Sequence, residues 1–449
     1  VGLPKFASRL QLGFFPPNGR AFRLQPGPEF PKEMMGSGLQ EELDKITDLL
    51  HEGLRNSNFN AEMHEGLQDL GIGTMNLLCE EGRFQGDLHF SSVPPTNLAL
   101  LPGRMDGVSD WFRWNDYMDI TEVKHRYPKA KYTEKMASEQ KRNPKRKTKI
   151  VEATVYDEQD KFKDEYTYYL ISETDNCILI KERLKGRGSQ PWITTRWSKS
   201  GFEVWGRGPV LQAMPAIKTL NLTVQLILEN AEMAIAGSYV YDDDGVFNPD
   251  NITIQPGTFI PRSPGSSIES LQSAGRFDVA QLVIDDMRRN VRKALFIDEL
   301  DTRPNARTPL SATEVSERLA DVARDMGAVA GRMQKEFLQP LVERLIYIYT
   351  KQGLLDIPKV DGRELRIVPV SPLLRAQDQQ DVSDFVRFQQ TVASTFGPEI
   401  TPVLYNQEMV IRFLAQKFGI KEELLAEQSQ VKDNVQMLQQ LMQQGQMPQ

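Results

Sequence analysis

Trp205-Gly206-Arg207-Gly208-Pro209 opens a stretch, closing near Gln339, whose reading decides the fold. Pro209 suits a first helical turn, where its missing N–H costs nothing. Val210, Met214, Ile217, Leu220, Val224, Ile227, Ala231 and Ile235 then recur at three- and four-residue steps, an apolar stripe on one helix. Pro215 falls early in that run and predicts a kink or a restart. Phe277, Ala280, Ile284, Met287, Val291 and Ala294 repeat the spacing. Between the two helices, residues 239–241, 252–255 and 258–261 are strand-like and separated by Asp-Gly, Asn-Pro and Pro-Gly turns. Helices joined by a folded insert project it away from the body, as a stalk carries a tip. Small β units of this kind seldom stand alone and often complete a sheet with a neighbouring chain.

Residues 299–309 form a polar loop. Ser311 and Glu314 then make a capping box for a helix whose stripe runs from Val315 to Ile348 and ends near Lys351. At ~1.5 Å per residue that helix is on the order of 60 Å long. Pro340 is expected to kink it, and Gly327 and Gly331 leave room for a close helix neighbour.

Upstream, residues 1–30 read as extended, docking chain. Residues 33–56 and 61–81 read as amphipathic helices, with Gly71 and Gly73 weakening the second. Residues 97–103 and 108–117 flank Asp106-Gly107, a hairpin signal. Residues 119–127 form a short helix capped by Asp119 or Thr121. The basic stretch 132–149 reads as a solvated loop. Strands follow at 150–156, 166–172, 176–182, 192–197 and 202–205. This half is α+β, a small antiparallel sheet capping helices. Residues 364–370 add a strand expected to join that sheet. Residues 377–396, 405–418 and 421–443 are helical, ending in a Gln- and Met-rich tail that is either a coiled-coil partner or a frayed end.

Composition narrows the function. The chain has 449 residues, 40% hydrophobic and 26% charged, with formal net charge −7. A tight, sequence-reading DNA binder is normally basic, so nucleic-acid contact is expected to be local or weak. No apolar run is long enough for a bilayer span. Cys79 and Cys177 are the only cysteines, which fits a reducing compartment and leaves no disulfide framework. Both lie among apolar residues, as core thiols do. The chain begins at Val1, which points to a further segment upstream.

Chemistry is sparse. His51-Glu52-Gly53-Leu54-Arg55 and His64-Glu65-Gly66-Leu67-Gln68 resemble half of a zinc-protease helix motif, but Arg55 and Gln68 stand where a second histidine must be. They read as surface helix residues. Gly71-Ile72-Gly73 lacks a third glycine and a preceding strand, so dinucleotide binding is unsupported. Asp242, Asp243 and Asp244 lack calcium-loop spacing and read as a turn. There is no phosphate loop, and Asp285-Asp286 reads as solvated helix flank. No catalytic residue, metal site or cofactor is expected.

The order of several short motifs is more informative. Trp205 to Pro209, then Pro215-Ala216-Ile217-Lys218-Thr219-Leu220-Asn221, resembles the portal (head-to-tail connector) proteins of short-tailed, podovirus-type bacteriophages. Ile254-Gln255-Pro256-Gly257-Thr258, Ser311-Ala312-Thr313-Glu314-Val315 and Leu338-Gln339-Pro340-Leu341-Val342 are similar too. The resemblance implies a ring, usually of twelve subunits, at one capsid vertex of the virion, with double-stranded DNA passing without sequence preference during packaging and ejection. By position it implies a wing over 1–205, stem helices over 206–237 and 276–298, and a clip over 238–275. A channel loop would cover 299–310, more wing 311–375, and a crown with helical tail 376–449. Implied partners are the terminase motor, a tail adaptor and the major capsid protein, with no membrane. Arg303, Asn305 and Arg307 on the loop, with Arg289 and Lys293 on the second stem helix, would face DNA. Arg288, Arg289, Arg292 and Lys293 either line the lower channel or pair with Asp285 and Asp286. A tail-adaptor or scaffold-type structural protein shares the helical stripes but has no need of a β insert. A nuclease or packaging ATPase needs clustered acidic ligands or a phosphate loop.

Overall fold

The structure, a computed structural model, describes residues 2–16, 19–27, 37–103, 107–157, 165–236, 239–242, 259–262, 277–297, 326–355 and 365–370, with short helical pieces between 385 and 414. It mixes helix and sheet. The chain opens with helix α1 (Gly2–Phe14), not with extended chain. Phe6, Ala7, Leu10 and Phe14 make one buried stripe, and Pro4 falls in the first turn where it is tolerated. Strand β1 (Phe22–Pro26) follows, then α2 (Ser37–Asn56) and α3 (Phe59–Ile72).

The helix expected over 61–81 stops at Gly73, and Thr74–Glu81 is strand β2. Every residue from Thr74 to Cys79 is buried, because β2 is the middle of a three-stranded sheet. Its neighbours are β3 (Leu88–Ser92) and β9 (Trp192–Arg196). A strand covered on both faces has no polar alternation, so Met75 and Leu78 fit helical spacing equally well.

A five-stranded antiparallel meander lies alongside: β4 (Leu98–Pro102), β5 (Val108–Asp119), β6 (Lys147–Tyr156), β7 (Glu165–Ser172) and β8 (Cys177–Lys185). The hairpin expected at Asp106-Gly107 joins β4 to β5. Trp111 Nε1 donates to Thr194 Oγ1 (2.8 Å) and Trp192 Nε1 to Thr154 Oγ1 (3.1 Å), tying the two sheets together. The basic stretch is not a loop. It contains helix α5 (Glu134–Arg142), capped by Thr133, and the start of β6. With α4 (Ile120–Arg126) it packs on the meander through Val123 and Met136. The strand expected over 202–205 is a turn, with Phe202 at φ 63° and wholly exposed.

Helix α6 (Pro209–Ala236) continues through Pro215 without a restart. It leads to β10 (Tyr239–Asp242), which pairs in parallel with β11 (Phe259–Arg262). The expected strand over 252–255 lies outside the described residues. Helix α7 (Phe277–Ala294) returns alongside α6. Of the long helix, residues 311–325 lie outside the described region. The rest comprises α8 (Gly327–Arg332), a π-helical turn (Met333–Leu338) and α9 (Gln339–Lys351). The expected disturbance at Pro340 takes the form of that turn. Pro340 has no N–H for the Glu336 carbonyl, and Thr195 Oγ1 donates to that oxygen instead (3.3 Å). The Glu336 carboxylate meanwhile accepts from Arg196 N (3.0 Å), Nε (3.1 Å) and Nη2 (2.8 Å). Strand β12 (Leu365–Pro369) pairs with β1 rather than with the three-stranded or the five-stranded sheet. The C-terminal helices expected beyond residue 376 lie almost wholly outside the described residues.

One core joins α1, α2, α3, β2, β3 and the long helix. Phe59 is its centre, with ring centroids of Phe90, Phe15 and Phe337 at 5.1, 5.4 and 6.5 Å. Buried Arg344 of α9 fastens the long helix to the sheet. Its guanidinium donates to the carbonyls of Cys79 (3.0 Å), Gly188 (3.2 Å) and Ser189 (2.6 Å). Replacing Arg344 by Met removes the donors from three carbonyls, two of them in fully buried contacts. Urea unfolding is expected to show a loss of about 3 kcal/mol at unchanged m-value.

Candidate functional site: the paired helices and their root

Two glycine pairs, 130-odd residues apart in sequence, meet where α6 leaves the body. Gly208 N–H donates to Ile72 O (2.9 Å), Trp197 N–H to Gly73 O (3.0 Å), and Gly206 N–H to Thr74 Oγ1 (2.8 Å). A Cβ on Gly73 would overlap Gly206 O, and one on Gly208 would overlap the Gly71 carbonyl. Gly71 and Gly73 are therefore not weak points of a long helix. They are the surface on which Gly206-Arg207-Gly208 lies, backbone against backbone. Next to this contact, burial and the neighbouring Glu65 push the Asp69 carboxyl up to about 6.

The second helix is rooted in the same place. Helix α7 ends in a Schellman arrangement, with Ile297 N–H bonded to Arg292 O (3.0 Å) and Phe296 N–H to Lys293 O (3.0 Å). Phe296 occupies the left-handed position usually given to glycine, at φ 52°. That conformation costs about 1–2 kcal/mol. Its ring packs 6.0 Å from Trp197, whose other edge meets Phe6 at 5.4 Å. Buried Leu295 and Ile297 close over Gly2 of α1.

Beyond the root, α6 carries apolar side chains on two opposite sides. The stripe from Val210 to Ala231 is half-buried, facing α7 and its buried Ile284. Leu211, Leu222 and Leu226 are 46%, 57% and 50% exposed and, at about 100° per residue, lie within about 60° of one another on the far side. Leu282, 70% exposed, stands on the corresponding outer face of α7. A shallow groove of about 420 Å³ runs between the helices, lined by Leu220, Val224, Leu228, Glu229, Glu232 and Arg288. The outer leucines share their side of α6 with exposed Lys218, Gln225 and Glu229, so the uncovered face is mixed and carries an apolar row of its own.

The basic residues of α7 are placed differently. Asp285 pairs with Arg288 and Asp286 with Arg289, each at 3.7 Å along the helix and each exposed. The intrahelical pairing therefore takes up Arg289, at a worth of about 0–1 kcal/mol per pair. Lys293 is exposed, with no ion pair among the described residues. Arg303, Asn305 and Arg307 lie outside the described residues, as does the whole segment 299–310.

His51, expected on the surface, is buried, stacked on Phe22 at 4.2 Å. Its Nδ1–H donates to Thr47 O (2.7 Å) and its Nε2 accepts from Ala21 N–H (3.0 Å), so both nitrogens are used. Burial lowers its pKa. Among the described residues no three His, Cys, Asp or Glu side chains are grouped to hold a metal. Cys79 is buried and its thiol pushed up to about 12, whereas Cys177 is only half-buried. Among the described residues no helix is long and apolar enough to cross a membrane.

Residues 1–425 match the family described as bacteriophage head to tail connecting protein. The probable portal protein of Bordetella phage BPP-1 is 25% identical over 253 residues, covering 53% of this chain and 44% of that protein. The portal protein of Salmonella phage epsilon15 is 24% identical over 274 residues, covering 59% and 48%. The chain thus spans about half the length of the curated relatives it matches. A chain of the neck of an empty gene transfer agent (GTA) particle covers 90% of this chain, and 88% of its own length, at 9% identity and a TM-score of 0.39.

Substituting Gly208 by Ala forces the backbone contact with Gly71 and Ile72 apart. Thermal unfolding is expected to show a loss of about 3 kcal/mol, whereas Ala at exposed Gly201, with nothing around it, stays within about 0.5–1 kcal/mol of wild type.

Proposed function

We infer the function from what this chain is, a member of the bacteriophage head-to-tail connecting protein family: it is a portal subunit. Copies close into a ring, dodecameric by family resemblance, at the head–tail junction of the virion. The role is structural and not enzymatic. The observation that carries the reading is the second apolar face of α6. A lone helical hairpin has no use for Leu211, Leu222 and Leu226 opposite its partner helix, whereas a ring of hairpins covers that face with the next copy. These leucines are already about half covered, so burying the rest of each is worth about 1 kcal/mol. The parallel pair β10–β11 supports the same arrangement. Both strands have a free outer edge among the described residues, which suits sheet extension by a neighbouring clip.

In this reading α6 and α7 are the stem around the channel, and residues 299–310, with Arg303, Asn305 and Arg307, are the loop that meets DNA. A formal net charge of −7 suits passage over retention, since continuous phosphate attraction would stall a sliding duplex. Lys293 and the paired Arg289 offer brief contacts at the lower channel. The clip docks the terminase motor and later a tail adaptor, and the wing meets the major capsid protein.

Mass photometry with negative-stain imaging tests the ring. A closed species near twelve subunits with a central hole is expected. Replacing Leu222 and Leu226 together by Glu is expected to leave the fold intact and abolish that species. A small closed oligomer with no rings at any salt or protein concentration would instead favour a tail adaptor. Deleting residues 302–308 addresses the loop: ring assembly should persist while DNA retention in packaged heads falls severalfold. Unchanged retention would remove the loop from the channel.

A further inference from the structure

Residues 124–149 carry eleven Lys and Arg against two carboxylates, Glu134 and Glu139, in a chain of net charge −7. The structure shows why this surplus faces outward. Helices α4 and α5 turn Val123 and Met136 into the meander, which leaves their charged positions in solvent. The segment between them is pinned to the sheet, Lys131 N–H donating to Leu179 O (2.9 Å). Glu139 is already taken by Arg146, which also binds the buried carboxylate of Asp175 at 3.0 Å. Lys124, Lys131, Lys135, Lys141, Arg142 and Lys145 are exposed, and none has an ion pair among the described residues. The result is a cationic face on a fixed scaffold, on which exposed Glu134 is outnumbered by six exposed Lys and Arg without ion pairs among the described residues.

The geometry points to a duplex-DNA docking face on α4–α5, separate from the paired helices and reading backbone phosphates only. Two observations select double-stranded nucleic acid among polyanions. The exposed large hydrophobic side chains of the described residues skip the whole interval between Leu101 and Ile178, so the face lacks the apolar anchors of a protein interface. The aromatic side chains within it are engaged elsewhere. Tyr127 OH donates to Glu152 and Tyr132 OH to Ile120 O (3.3 Å), so no ring is offered for the base stacking that holds single strands. What remains is lysine point charge on a fixed scaffold, the chemistry of phosphate contact. On the ring reading proposed above, this face belongs to the body and not to α6 and α7, so the DNA it binds is separate from DNA in the bore.

Covalently closed DNA separates the two, because a closed circle cannot thread a preassembled ring. The full chain, its assembly state checked by mass photometry, is titrated with a closed minicircle over a salt series. Binding is expected to weaken steeply with salt, with a slope of about −0.9 per phosphate contacted. The K141E/R142E/K145E variant should bind at least tenfold more weakly, with a slope shallower by about 2–3, at unchanged thermal stability and assembly. K141Q/R142Q/K145Q should fall between the two. Wild-type affinity in the Glu variant would overturn the assignment. So would displacement of the circle by poly-glutamate as effectively as by linear duplex at equal charge, which would mean an acidic protein surface. Failure of ring assembly with circle binding intact would count against the portal reading and leave this face standing.

Discussion

Everything that projects from this protein depends on one backbone contact. Gly206 and Gly208 lie against Gly71, Ile72 and Gly73 closely enough that no side chain fits between, and hydrogen bonds replace the packing that side chains would give. The contact starts α6 in a fixed direction at the junction of α3 and β2, which belong to the central core. Trp197 then repeats the fastening for α7, because its ring lies between Phe6 of the core and Phe296 at the helix end. The left-handed strain at Phe296 is offset by that aromatic contact and by the burial of Leu295 and Ile297. A helix pair with one loose end would splay; this pair is held at both.

A second constraint shapes the body. Pro340 cannot complete the helical ladder, and the helix answers with a π turn, which accommodates an extra residue. The liberated carbonyl of Glu336 and the carboxylate of the same residue both engage β9, through Thr195 and Arg196. The proline thus becomes the place where the long helix and the three-stranded sheet are joined. Arg344 makes a second junction two turns later.

These features differ in how far the residues disclose them. The paired helices were legible because each covers its partner with a stripe of period near 3.6, as Ile284 and Val224 do. The π turn was legible in part. Val329, Met333, Phe337, Leu341 and Leu345 advance by four residues each time, and a regular α-helix would carry such a series about 40° further round at every step. Helix α1 was obscured by prolines and glycines that flank it, and β2 by burial on both faces. Strand β12 was visible, but its partner β1 lay in a segment read as extended, docking chain with no strand assigned to it. The glycine contact could not be read at all, since it is a property of two backbones brought together by the fold. Of the site, the inner stripe of α6 was plain and the outer one was not, because Leu211 and Leu222 are eleven residues apart. Arg289 proved to be half of an ion pair, and Arg303, Asn305 and Arg307 belong to a segment outside the described residues.

In mechanical terms, the glycine contact is a fulcrum. Helix α6 has 28 residues, so its far end lies about 42 Å from that point. Rotating the helix by about 5° at the root moves the tip by roughly 4 Å, on the order of a van der Waals diameter. Force applied at β10 and β11 is correspondingly multiplied into torque at Gly208. It is borne there by main-chain hydrogen bonds and delivered to Phe6 and Trp197, deep in the body, rather than absorbed by bending side chains. A lever this long with a pivot this stiff converts small displacements at one end of the molecule into strain at the other.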